Sequence, residues 1–303
     1  MKLIKLLQTP HEYYCLKSYK EYLTKLYANA REGKDPNCRK CDNEGYIKTK
    51  KNIAFGKREW NIPEVCDCVK SEKTEIFKKI EHADSLIKTY NIIFGTLDDD
   101  MTLDIFSKKF GNEDMISSIK KYLELGSGLS LYFTGESGVG KTTILKMLWQ
   151  IYAINKINVF YLKANHFEGL YKNLFNINAS KENIKASIDS KIESAKKSDI
   201  LLIDDIDSVG FSSAVNGYYE IFDNRRKEEK PIILSSNKTY DDLLNGLKSG
   251  NKRHEASFIS GRITSRLLGL KIVEVELRRL PVKVGRNQST QSLAWMLIIC
   301  KQC

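Results

Sequence analysis

The chain lacks any apolar stretch long enough to cross a bilayer. Its longest late run, Leu293 to Cys300, is far short of the roughly 20 residues a spanning helix needs. No apolar segment of signal-peptide length follows the start, Met1-Lys2-Leu3-Ile4-Lys5-Leu6-Leu7. These absences argue against export and membrane insertion, so the expectation is a soluble, cytoplasmic protein. Internal repeats and low-complexity tracts are missing as well, which argues against a solenoid or a biased linker. Acid is missing from one place: residues 277–303 hold five Lys and Arg and no Asp or Glu.

What is present fits an ordinary globular chain. Its 303 residues are 42% hydrophobic and 29% charged, enough to build one large domain or two unequal ones around a real core. The net charge of +11 is unevenly placed. Residues 1–84 carry 18 Lys and Arg against 13 Asp and Glu, and the last 27 residues add five more positive charges, so the middle is nearly neutral. Basic flanks suit nucleic acid or an acidic protein surface, or serve solubility alone.

Residues 11–31 read as a helix, because Tyr14, Leu16, Tyr19, Leu23, Leu26 and Tyr27 recur near helical spacing. A cysteine-bearing segment follows, with Gly45 and Pro63 as turn residues, and then a Lys/Glu-rich helix over 69–82. A boundary is expected between about 84 and 105, where Leu97-Asp98-Asp99-Asp100 breaks the pattern. From about residue 113 strands and helices alternate. Short apolar strands are expected at 129–134, 158–162, 200–203, 232–235 and 271–277. Between them, helices are expected at 141–152, 167–175, 181–197, 218–226, 240–247 and 257–267. Five strands separated by helices imply an α/β fold with a parallel sheet covered on both faces. The expected domains are 1–84, 85–277 and a basic tail, 278–303.

The most specific motif is Gly135-Glu136-Ser137-Gly138-Val139-Gly140-Lys141-Thr142, followed by Thr143. Glycines let the backbone curl so that its N–H groups face a phosphate, and the helix that starts there favours an anion through its dipole. Lys141 would reach the β- and γ-phosphates of ATP, and the Thr142 hydroxyl would ligate Mg²⁺. The run Ile200-Leu201-Leu202-Ile203-Asp204-Asp205 places two carboxylates at the end of a buried strand. That is where open α/β sheets put ligand chemistry. Asp204 would hold the Mg²⁺ shell, and Asp205 would orient or deprotonate the attacking water. Asp207 reads as a helix cap or surface residue. The strand Pro231-Ile232-Ile233-Leu234-Ser235-Ser236-Asn237 should lie beside the Asp204 strand. Asn237 could then hydrogen-bond the γ-phosphate or the lytic water, or be an ordinary loop Asn.

Cys38-Arg39-Lys40-Cys41 and Cys66-Asp67-Cys68 could together offer four thiolates to a structural Zn²⁺, with His82 as a possible substitute ligand. Cys300 and Cys303 have no partner pair nearby and read as coincidence. Phe167, Tyr171 and Phe175, with Lys163 and Lys172, could stack single-stranded DNA, but their spacing favours a core stripe. Lys252 and Arg253 are rival contacts that read more simply as a solvated loop.

Taken together, the phosphate loop, the Asp pair and the Asn-tipped strand resemble the AAA+ family. There the Asn is called sensor 1, and an arginine from a late helix completes a neighbouring subunit's site. Gly261-Arg262-Ile263-Thr264-Ser265-Arg266-Leu267-Leu268-Gly269 is similar to that segment, with Arg266 the better match and Arg262 the second. Only 26 residues follow position 277, too few for the usual helical lid, so a second sensor arginine is not assignable. With the cysteine pattern in front, residues 30–276 look like bacterial and phage replicative helicase loaders of the DnaC/DnaI type. The resemblance implies a zinc-bearing N-terminal domain that grips the hexameric helicase, an ATPase that binds single-stranded DNA, and a homo-oligomer formed on assembly. Two rivals share parts of the pattern: a transposition helper ATPase of the same branch (IstB-like), and a zinc DNA-binding module whose phosphate loop only gates it.

Overall fold

Apolar residues at helical spacing set the first element in a computed structural model of the chain. Helix α1 spans Leu16–Asn29 and α2 spans Glu72–Phe94. Between them β1 (Tyr46–Thr49) and β2 (Ile62–Val65) pair antiparallel, Tyr46 opposite Val65 and Thr49 opposite Ile62. The structure describes residues 15–30, 46–49, 62–66, 72–96, 101–110, 113–125, 129–174, 180–208, 214–249, 263, 265–267 and 272–277. The chain divides into two compact units, Leu16–Leu97 and Asp98–Cys303 with Met1–Cys15.

In the first unit α1 and α2 pack through Leu23, Ile76 and Ala83, with Tyr19, Tyr22, Tyr27 and Ile80 around them. Lys20 and Asp84 form an ion pair at 2.6 Å. The domain limit expected at 84/85 falls inside α2, while the two units divide after Leu97, within the 84–105 window expected for a break. Ile76, Ala83 and Tyr90 recur every seven residues and are all buried, so the apolar stripe carries the helix on to Phe94. The helix ends where Gly95 donates back to the Asn91 carbonyl at 3.0 Å.

The second unit opens with two helices that the sequence reading did not assign, α3 (Leu103–Phe110) and α4 (Glu113–Leu125). Thr102 starts α3 by accepting the Ile105 N–H at 3.2 Å. The apolar residues Met115, Ile116, Ile119 and Leu123 bury one stripe of α4. Five parallel strands follow: β3 (Ser130–Thr134), β4 (Val159–Lys163), β5 (Ile200–Asp204), β6 (Ile232–Ser236) and β7 (Ile272–Glu276). Their order across the sheet is β4-β5-β6-β3-β7. The connecting helices are α5 (Lys141–Ile154), α6 (Ala164–Asn173), α7 (Lys181–Lys197), α8 (Val215–Lys227) and α9 (Tyr240–Ser249), with a short 3-10 turn at Ile206–Ser208.

Strand periodicity divides the core. Leu201, Ile203, Ile232, Leu234 and Tyr132 point to one face, where they join Phe167, Ile188, Ile192, Tyr218, Ile221 and Phe222 from α6, α7 and α8. The intervening residues alternate to the face covered by α5, nearly all of whose residues are buried. Fully covered faces explain why β3, β5 and β6 are buried along their whole length.

Candidate nucleotide-binding site

The loop between β3 and α5 is shaped by glycine. Gly138 and Gly140 take φ values of 81° and 99°, and Gly140 is the N-cap of α5. Gly135 has φ 145°, and a Cβ there would run into the carbonyl oxygen of Leu277. Val139 is buried against this turn. Glycine at 135 thus lets the end of β7 lie against the loop, held by the Leu277 N–H to Thr134 carbonyl bond at 2.7 Å.

Lys141 is only 5% exposed. Its ammonium donates to the carbonyls of Gly135 (2.7 Å) and Glu136 (2.8 Å) and to Asn237 Oδ1 (2.8 Å). Burial pulls its pKa down, opposed by the carboxylates of Asp205, Asp207 and Asp204. One residue further into the same helix, Thr142 Oγ1 lies 3.1 Å and 3.0 Å from the two oxygens of Asp204.

Asp204 is buried at the tip of β5. The donors that reach it are hydroxyls: Thr142, Ser235 at 2.5 Å and Tyr161 at 2.8 Å. Hydroxyls orient a carboxylate without cancelling its charge, so this carboxylate, with the Thr142 oxygen beside it, fits a hard divalent cation such as Mg²⁺. Asp205, next in the chain, sits in the left-handed region at φ 53°, a conformation that Asp tolerates better than most residues. Its N–H donates to Ser235 Oγ at 2.9 Å. Burial raises the Asp205 pKa, reinforced by Asp204 and Asp207 and opposed by Lys163 and Lys141.

Asn237 follows β6 and meets Asp207, which was expected to be a cap or surface residue. The Asp207 carboxylate instead accepts the Asn237 backbone N–H at 3.0 Å and its Nδ2 at 3.4 Å. The structure therefore brings Lys141, Thr142, Asp204, Asp205 and Asn237 to one edge of the sheet. Thr143 is the third residue of α5, and Ser137 lies in the loop ahead of it.

Arg266 engages α8 of its own chain. Its Nε donates to Asp223 Oδ1 at 2.6 Å, one NH₂ group lies 3.3 Å from the Tyr219 hydroxyl, and the guanidinium stands 5.4 Å from the Tyr219 ring centre. The hydrogen bond to the Asp223 carboxylate raises the Arg266 pKa further. Phe167 belongs to the core: it is fully buried and meets Tyr171 and Tyr218 edge-on at 5.3 Å and 5.2 Å. Lys172 lies 3.7 Å from Glu168 of its own helix.

Cys38, Cys41, Cys68, Phe175, Lys252, Arg253, Arg262, Cys300, Cys303 and residues 278–303 lie outside the described residues. Cys66 is described and fully buried. Among the described residues no group of three or more His, Cys, Asp and Glu is arranged to hold a metal. The ribbon register is relevant here. Tyr46 faces Val65, so the strand end leading back toward Cys41 lies beside the strand end leading into Cys66. His82 buries its Nε2 without a hydrogen-bond partner among the described residues.

Sequence reasoning missed several residues that hold the site or the sheet. Tyr161 and Ser235 both grip Asp204. Ser235 follows Leu234, the partner of Ile203, so the parallel register puts it beside Asp204, and the strand alignment alone carried that signal. Arg225, which is fully buried, donates to the carbonyls of Ala195, Ser198, Asp199 and Pro231. Burial lowers its pKa to about 9, which leaves it a cation at neutral pH.

Residues 131–259, which contain every group of this phosphate site, match the profile of the ATPase family associated with various cellular activities (AAA). This segment is similar to that family. The replicative helicase loader DnaI of Bacillus subtilis (strain 168) is 24% identical over 154 residues, 50% of this chain and 47% of the relative. The chain therefore spans about half the length of the curated relative it matches. Among solved structures, AMPPCP-bound DnaA from Aquifex aeolicus shares 24% identity over 55% of this chain and 47% of that one, with a TM-score of 0.41. The crystal structure of DnaI shares 20% identity over 60% and 84%, with a TM-score of 0.42. Among the described residues of the protein carrying this AAA segment, no helix is long and apolar enough to cross a membrane.

Proposed function

We propose that the protein is an ATPase that loads a replicative DNA helicase onto single-stranded DNA, working at interfaces between its own subunits. The observation that carries the ATPase part is the shared position of the Thr142 hydroxyl and the Asp204 carboxylate beside the Lys141 ammonium. Bound Mg²⁺ would neutralise phosphate charge and orient the triphosphate. Thr142 and Asp204 would hold that ion. Tyr161 and Ser235 keep the Asp204 carboxylate turned toward it. The loop from Gly135 to Gly140 would cradle phosphate oxygens with its main-chain N–H groups, and Lys141 would exchange its carbonyl partners for them. Asp205 would accept a proton from, or orient, the attacking water, with its acid-side titration raised by burial.

Arg266 is proposed to act in trans on a neighbour's phosphates, where such a finger is worth about 10³–10⁵ in rate. Its side chain is 22% exposed and is held in one place by Asp223 and Tyr219, an arrangement suited to presenting a guanidinium. Residues 1–84 are proposed to hold a structural Zn²⁺ through Cys38, Cys41, Cys66 and Cys68 and to contact the helicase. The buried Cys66 and the ribbon register support this. The orphaned His82 nitrogen keeps that residue as a substitute ligand.

The likeness to the DnaI loader and the cysteine pattern ahead of the ATPase favour a loader over a transposition helper. Two measurements test the proposal. Purified protein should hydrolyse ATP with Mg²⁺, and it should retain a hexameric replicative helicase in a pull-down when ATP is present. Capture of a transposase instead would replace the loader reading; no ATP turnover would end the ATPase reading.

A further inference from the structure

Asn237 meets two partners that each bond in only one sense. The Asp207 carboxylate accepts hydrogen bonds, and it takes the Asn237 backbone N–H at 3.0 Å and Nδ2 at 3.4 Å. The Lys141 ammonium donates, and it reaches Asn237 Oδ1 at 2.8 Å. An amide flipped end for end would set its oxygen against a carboxylate and its NH₂ against an ammonium, two repulsions in place of two bonds. Chemistry therefore fixes the orientation. Asp207 itself is carried on the short turn Ile206–Ser208, anchored by the fully buried side chain of Ile206.

We propose that Asp207 is a positioning residue that fixes the Asn237 amide with its oxygen turned into the phosphate site. The proposal rests on the ATPase reading and sharpens it. Asp207 takes one of the two Nδ2 hydrogens, and Oδ1 is thereby presented beside Lys141 in the phosphate site. Asn237 offers an acceptor, which suits the proton of an attacking water. Asp207 then affects the chemical step through Asn237 while leaving nucleotide affinity nearly untouched.

The test uses the full chain. ATP turnover at saturating Mg²⁺ and ATP affinity are measured for wild type, Asp207→Ala, Asn237→Ala and the double variant. Each single variant is expected to lose about tenfold in kcat with affinity within about threefold. The double variant should lose no more than about twofold beyond the worse single, because both changes remove one device. Asn237→Asp sets two carboxylates against each other, so it should be impaired. Adding Asp207→Asn restores a donor at 207 and keeps an acceptor at 237, and should recover at least about fivefold. Additive losses, or no recovery in the exchanged pair, would overturn the proposal. If Asp207→Ala does not fold, the comparison of Asn237→Asp with the exchanged pair decides alone. A wild type without turnover removes the ATPase reading and this proposal together; additive losses in an active wild type remove only this one.

Discussion

In the Asp98–Cys303 unit a parallel sheet is sandwiched by helices, and its buried polar groups are tied into networks. In the Leu16–Leu97 unit two helices and a two-stranded ribbon surround a core built on Leu23, Ile76 and Ala83, supported by partly buried tyrosines. Strands of four residues are marginal by themselves. The sheet unit can draw its stability from apolar burial, and can then spend buried charge on Asp204 and Lys141. The Leu16–Leu97 unit has little such surplus, which is the circumstance in which a small segment relies on a metal staple. Chemistry sits where the core is large enough to tolerate it.

Four changes would break or sharpen that contrast, in falling order of effect. Lys141→Ala should abolish ATP binding by calorimetry while leaving the zinc content of the protein unchanged; retained micromolar affinity would detach the phosphate site from this loop. Arg266→Ala should keep ATP affinity within about threefold and lose about 10³-fold in the turnover of the assembled protein. Normal turnover in the assembly would end its role as a finger. Arg225→Met should cost the sheet unit about 3 kcal/mol, because it strips partners from several buried carbonyls. A fall of roughly 6–12 °C in its melting transition is expected, and a shift below about 2 °C would show that the carbonyls find other donors. Chelation should remove about one zinc ion per chain and raise amide exchange only within residues 16–97, with ATP affinity changed less than about twofold. Metal analysis that finds no zinc in freshly purified protein would remove the staple from the argument.

Much of the sheet was legible because each strand carries a local signature. Ile200 to Ile203 is unbroken apolar sequence ending in acid, and Ile232 to Leu234 is the same pattern ending in Ser-Ser-Asn. The phosphate loop was legible for the same reason. What escaped depends on partners far apart in the chain. Tyr161 reaches Asp204 across 43 residues, Arg266 reaches Asp223 across 43, and Arg225 reaches Ala195 across 30. No period or spacing marks such pairs. The extension of α2 to Phe94 escaped for another reason: its stripe of one buried residue in seven is thinner than the usual amphipathic face.

Because β6 lies between β3 and β5, the strands that lead into the loop and the acid pair stand two strand spacings apart, a span of roughly 10 Å that the start of α5 bridges. Main-chain bonding sets that width, so substitutions in the core have little leverage over it. The intervening strand is also obliged to touch both walls: Ser235 reaches Asp204 on one side, while Asn237 reaches Lys141 on the other. A one-residue slip of β6 would turn both contacts to the wrong face at once. Alignment of this strand is the calibration of the catalytic gap.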